Sequence, residues 1–359
     1  MTPKNWLIRG TACAVLAAGL FGGTAWAGVT STAKDGIALS NSYAGNGWRQ
    51  QMLKMWGLAA KHAIAGGVIA KTKVVNSNNS APQQASQISD LTLEGWKAIV
   101  IDAASPTALN GVIQQACTAH IVVVVFDSLA TAPCAYKVAY NYTSMGETEA
   151  DYVAKRLHGK GNVLEVRGIA GTSVDTDIHG GIVKGFAKYP GIKLVGSVHG
   201  NWTQSIAQKE VAGLLPTLPK VDAVVTQGGD GYGTYQAFNS AGRPTPLIIM
   251  GNRQDELALW KKLADKPGGY QTISLSSAPG VSSIAFWVAQ QVLAGAKVPK
   301  TVNVPLLVIH AGELDGWLKV VPPGGVSTPL YGQKWTESLI AANIAHTALP
   351  APPPPSATP

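Results

Sequence analysis

The sequence predicts an α/β protein of two lobes, each built around a parallel sheet. From residue 36 onward, short apolar runs alternate with longer stretches of helical periodicity. Several of the short runs are continuously apolar, as in Ile121-Val122-Val123-Val124-Val125-Phe126, the pattern of a strand covered by helices on both faces. Ten such runs are many for one open sheet, and 359 residues suffice for two domains.

In chain order the predicted strands span 36–39, 73–76, 98–101, 121–126, 137–141, 162–166, 193–198, 223–226, 247–250 and 271–275. The first helix follows Gly47, where Trp48, Met52, Met55, Ala59 and Ala63 recur at spacings of three and four and so share one face. The same pattern predicts helices over 82–93, 106–120, 148–157, 178–189, 205–215, 232–241, 255–264 and 281–294. Strand–helix units repeated in this way fold with right-handed crossovers.

Hydrophobic residues make up 46% and charged residues 13%, enough apolar material for two cores and against general disorder. The N-terminus reads as a signal peptide over 1–27. Lys4 and Arg9 form a basic head, an apolar stretch follows, and Ala25-Trp26-Ala27 has the small-x-small form of a cleavage site. Cys13 precedes that site, which argues against a lipid-anchored form. Losing Lys4 and Arg9 lowers the formal charge from +8 to +6, spread without runs, a poor basis for binding nucleic acid. Cys117 and Cys134 remain; an even pair in an exported chain suggests a disulfide, with two buried thiols as the alternative. Residues 348–359 hold Pro352-Pro353-Pro354-Pro355 and are expected to be a disordered tail. No metal-ligand spacing is present.

Ligands of open parallel sheets bind beyond the carboxyl ends of the strands. The residues there are Ser40, Asn41 and Ser42; Ser77 and Asn78; Asp102; Asp127 and Ser128; Arg167; Gln227 and Asp230; Asn252 and Arg253; Ser276 and Ser277. Nearly every strand thus ends in a hydrogen-bonding side chain, as a polyhydroxylated ligand requires. Helix capping accounts equally for any one of them. Trp48 and Trp202 fall near the same edge, where an aromatic face covers the C–H face of a sugar ring.

These segments resemble the type I periplasmic binding proteins, in the ribose-binding-like branch of sugar receptors of ABC transporters. The resemblance covers about residues 34–335. It rests on Ile37-Ala38-Leu39-Ser40-Asn41-Ser42-Tyr43-Ala44-Gly45-Asn46-Gly47-Trp48, Val125-Phe126-Asp127, Gly168-Ile169-Ala170-Gly171-Thr172-Ser173, Val224-Val225-Thr226-Gln227-Gly228-Gly229-Asp230 and Leu293-Ala294-Gly295. It implies two Rossmann-like lobes joined by a three-crossover hinge at 139–142, 275–280 and 310–312. The N-terminal lobe would hold 34–139 and 280–309, and the C-terminal lobe 140–275 and 312–335. It further implies a monomeric periplasmic protein that needs no cofactor and delivers a sugar or polyol to an inner-membrane permease. Asn46 would bond a hydroxyl, Trp48 and Trp202 would stack on the ring, and Asp127 would accept two hydroxyl protons. Gln227 or Asp230, Asn252 and Ser276 would complete the cage.

Three departures from the ribose-like pattern speak against ribose itself. Ser128 stands where that pattern has an arginine after the aspartate. Asp175, Asp177 and His179 occupy the stretch that supplies its second arginine, and Asn252 replaces an aspartate. Losing two guanidinium forks removes strong bidentate donors, for which Arg49, Arg167 and Arg253 are the available replacements. An enzyme finds little support, because neither the Gly-x-Gly-x-x-Gly fingerprint nor a recognisable Ser/His/Asp setting occurs. A transcriptional regulator of this fold would need a helix-turn-helix where the signal peptide stands.

Overall fold

A computed structural model describes residues 30–356, so the expected signal peptide lies outside the described residues. The first lobe alternates β1 (Gly36–Asn41), α1 (Gly47–Ala65), β2 (Lys71–Asn76), α2 (Ala81–Leu93), β3 (Ala98–Asp102), α3 (Asn110–Thr118), β4 (Val122–Phe126) and β5 (Tyr136–Ala139). The second lobe follows with α4 (Tyr142–Arg156), β6 (Lys160–Arg167), α5 (Ser173–Phe186), β7 (Gly191–His199), α6 (Gln204–Leu214), β8 (Ala223–Val225), α7 (Gly231–Ser240), β9 (Leu247–Ile248), α8 (Gln254–Ala264) and β10 (Ser274–Ser276). The chain then returns through α9 (Val281–Leu293), β11 (Thr301–Asn303), β12 (Leu307–Ile309), α10 (Leu314–Val320) and α11 (Gln333–Ala345).

The first sheet is parallel throughout, in the order β11-β5-β4-β3-β1-β2. Its alternating side chains divide between two helical layers. Ile37, Leu39, Val100, Val124 and Phe126 join the cluster beneath α1 and α9, whereas Ala38, Ile99, Ile101, Val123 and Val125 pack with α2 and α3. That two-sided burial is why these strands read as continuous apolar runs. The second sheet is also parallel, in the order β7-β6-β8-β9, and the two-lobed α/β expectation holds. In the second lobe α4 and α5 meet at backbone distance: a Cβ on Gly146 would fall 2.2 Å from the Ile178 carbonyl oxygen, and one on Gly181 2.1 Å from that of Thr143. Only glycine permits this approach, which holds α5 at the edge of the interlobe space.

Three parts of the chain depart from expectation. Residues 307–309 fall within the stretch assigned to the first lobe, yet β12 pairs antiparallel with β10. The third crossover therefore falls near 304–306 rather than 310–312; in the apolar run Val304-Pro305-Leu306-Leu307-Val308-Ile309, composition does not mark where one sheet is left for the other. Helix α11 was not foreseen; its weak amphipathic pattern packs on α9 and β11. The described part of the Pro-rich tail, residues 348–356, has no regular structure but lies against the body, with the Trp335 indole donating to the Ala351 carbonyl at 3.1 Å. Proline segments lose little entropy on docking and offer free carbonyls, so such composition does not require disorder. Cys117 and Cys134 are joined as a disulfide, closing a loop of sequence separation 17 beside α3.

Candidate functional site

Four chain segments cross between the lobes, the last carrying the chain from α10, which packs on α8, to α11, which packs on α9 and β11, and a cleft opens beside them. The first-lobe wall begins at the head of α1. Asn46 caps that helix, its side-chain oxygen accepting from the Arg49 N–H at 2.9 Å. The cap directs Trp48 and Arg49 into the cleft. Trp48 donates its indole N–H to the Ser277 carbonyl at 3.0 Å, and the Arg49 guanidinium lies 5.2 Å from its ring centroid.

Arg49 is 7% exposed and pairs with Asp102; its other terminal nitrogen lies 3.4 Å from Asp127. Burial lowers its pKa, and the Asp127 carboxylate offsets part of that. Asp127 follows β4 in a left-handed conformation, φ 55°, which aims its carboxylate at the cleft, and it accepts the Tyr142 hydroxyl. Burial raises the Asp127 pKa, opposed by Arg49 and by the Tyr142 bond. The Tyr142 hydroxyl is pushed up by burial and by the neighbouring Asp127 charge, and so stays protonated as a donor. One guanidinium thus serves two carboxylates, leaving this wall rich in acceptors.

The second-lobe wall combines Met145 from α4, Val174 and Ile178 from α5, and the loops after β7 and β8. Trp202 and Gln227 also have left-handed backbones, φ 52° and 51°. The Trp202 indole donates to the Gln227 carbonyl at 3.2 Å, and its ring lies so close to Gly168 that a Cβ there would fall 2.0 Å from Cζ2. The Gln227 amide accepts from the Gly168 N–H at 2.9 Å and donates to the Asp175 carbonyl at 3.2 Å. Arg253 completes this side, one terminal nitrogen donating to the Trp202 carbonyl.

Of the expected residues, Asn46, Trp48, Asp127, Trp202, Gln227 and Ser276 meet at the cleft. Asp230 and Asn252 do not. Asp230 is wholly buried against Gly200, and burial lifts its carboxyl well above the usual range. Asn252 ties the hinge, donating to the carbonyls of Ser277 at 3.2 Å and Ser327 at 2.9 Å. A position beyond a strand end does not fix which way the side chain turns, so both were placed in the cage in error. Of the candidate arginines, Arg49 and Arg253 reach the cleft, while Arg167 is held by Asp175 at 3.0 and 2.7 Å. Tyr142, Met145, Val174 and Ile178 went unrecognised; for Tyr142 and Met145 the start of a helix after a crossover was the available signal.

Two parallel-sheet lobes with a polar cleft at the carboxyl ends of their strands define a protein of the periplasmic-binding type I architecture. Residues 37–297 match the family model described as periplasmic binding protein domain, and the chain belongs to that family. The xylitol-binding protein of Mycolicibacterium smegmatis is 30% identical over 227 residues, covering 62% of this chain and 64% of that protein. The ribose import binding protein of Salmonella typhimurium is 25% identical over 178 residues, covering 49% of this chain and 60% of that protein. The match thus spans less than two thirds of either curated relative. An ABC transporter solute binding protein from Thermobispora bispora superposes with a TM-score of 0.84 and 38% identity, over 90% of this chain and 99% of that one. Among the described residues no helix is long and apolar enough to cross a membrane.

Proposed function

We propose that this chain is the periplasmic solute-binding component of an ABC importer, holding a monosaccharide or sugar alcohol between its lobes. The observation that carries the reading is a cleft with Trp48, Asn46, Arg49 and Asp127 on its first-lobe wall and Trp202 on the wall opposite. Ring faces cover C–H groups, while the amide, guanidinium and carboxylate meet hydroxyls that both donate and accept. In this reading Ser276 lies at the hinge side of the ligand, and Gln227 acts by holding Trp202 and Gly168 in place. The names of the curated relatives, for xylitol and ribose, support the ligand class.

The mechanism is capture rather than catalysis. Ligand settles on one lobe, closure removes water from it between both, and the closed face is presented to a membrane permease. The protein acts as a monomer, exported by its signal peptide, and takes no cofactor or nucleic acid. Thermal-shift measurements against pentoses, hexoses, polyols, amino acids and nucleosides test this. Ligand at about a hundred times its Kd adds roughly 2.7 kcal/mol, so one sugar or polyol should raise Tm by several degrees. A response confined to amino acids or nucleosides would overturn the ligand class.

A further inference from the structure

The two walls differ in what they leave free for a ligand. On the second-lobe wall the polar groups nearest α4 and α5 are spent inside the protein, and the free donors are those of Arg253. Both ends of the Gln227 amide are bonded, at 2.9 and 3.2 Å, and the only donor of the Trp202 side chain goes to the Gln227 carbonyl at 3.2 Å. The Ser276 hydroxyl faces the carbonyls of Gly228 and Ser277, each at 3.1 Å, and one terminal nitrogen of Arg253 is held by the Trp202 carbonyl. Apart from the remaining Arg253 N–H groups, this wall presents carbon: Met145 from α4, Val174 and Ile178 from α5, and the Trp202 ring. Across the cleft, Asn46 has its amide nitrogen free of hydrogen bonds among the described residues, and Arg49 and Asp127 lie beside it.

Building on the sugar or polyol reading, we infer that the ligand is a deoxygenated sugar. Its hydroxylated edge lies on Asn46, Arg49 and Asp127, and a methyl or methylene replaces a hydroxyl against Met145, Val174 and Ile178. A hydroxyl pressed against the Met145, Val174 and Ile178 patch gives up water and gains no partner there, whereas a methyl buries apolar surface. A single misplaced hydroxyl therefore weakens binding by about tenfold or more.

Titration calorimetry on the chain with sugar pairs that differ by one hydroxyl tests this: fucose and galactose, rhamnose and mannose, 2-deoxyribose and ribose, with xylitol alongside. In at least one pair the deoxy member should bind about tenfold or more tighter than its parent. Parents that bind as well as or better than their deoxy partners, or tight binding of xylitol alone, would overturn the inference and leave the sugar or polyol reading standing. Failure of every sugar and of xylitol would overturn that reading, and the inference with it. The Val174→Thr variant keeps side-chain volume and adds a hydroxyl to the wall, so the margin between deoxy and parent sugar should shrink. An unchanged margin would overturn the assignment of the discrimination to this wall.

Discussion

The backbone N–H of Leu129 donates to the side-chain hydroxyl of Ser173 at 3.1 Å, joining the loop after β4 in one lobe to the start of α5 in the other. Together with the Trp48 bond to the hinge carbonyl of Ser277, it holds the lobes in contact around the cleft. A direct bond between lobes stabilises the closed state and slows release. Ser173→Ala should weaken ligand affinity by up to about tenfold, the range expected for one neutral hydrogen bond, chiefly through a faster off-rate. Stopped-flow dissociation measures this, and Tm without ligand should change little.

Asp127 sits where Arg49, Tyr142 and the cleft converge. Asp127→Ala removes the acceptor and leaves the buried guanidinium with one carboxylate fewer. Binding should weaken by about tenfold to a hundredfold or more, as for a charged hydrogen bond. Trp202→Ala removes the opposing ring and should weaken binding to a similar degree. Calorimetric affinities unchanged in both variants, with native circular dichroism spectra, would count against the cleft as the ligand site.

Asn252 provides a contrast. Its two bonds go to hinge carbonyls, at 3.2 and 2.9 Å. Asn252→Ala should therefore cost about 1–3 kcal/mol of stability, chiefly through the unpaired Ser327 carbonyl, since Trp48 still donates to that of Ser277, and this should be seen as a lower urea midpoint. A variant as stable as the parent but unable to bind ligand would return Asn252 to the cage.

That contrast marks the limit of what the sequence expresses. The doubly covered sheets were legible because alternate residues such as Ile37 and Ala38 are apolar toward both helical layers. Asp127 and Gln227 were legible because the ends of parallel strands face the cleft. Asp230 lies only three residues beyond Gln227, yet it precedes α7 in a left-handed backbone, makes no capping bond with its side chain, and turns into the lobe. Arg49 was recognised only as one of three candidate arginines, since helix position alone does not show which carboxylates meet it. Tyr142 and Met145 escaped because they lie on a helix that begins at a crossover, where the two lobes are brought together only by the whole fold.

Glu149 gives the fold a pH dependence of a definite sign. It projects from α4 with no exposure, and neither carboxylate oxygen completes a hydrogen bond. Burial pushes its pKa up to about 8; the nearby N–H groups of Thr226 and Gln227 offset part of this, and the Glu165 charge adds to it. Glu165 itself bonds His179 at 2.9 Å and Ser197 at 3.1 Å, so these are the polar groups around the buried carboxyl. A carboxyl whose folded pKa lies above its unfolded value keeps its proton in the native state after the unfolded chain has lost it. The contribution of Glu149 to stability is then greatest below the unfolded value, about 4.5, and is lost as pH rises toward about 8, by on the order of a few kcal/mol. Glu149→Gln keeps the shape without the titration. Its urea-unfolding free energy should fall less between pH 5 and pH 8 than that of the parent, in measurements at about 0.5-unit steps. Parallel profiles for parent and variant would show that Glu149 is already ionised in the native state.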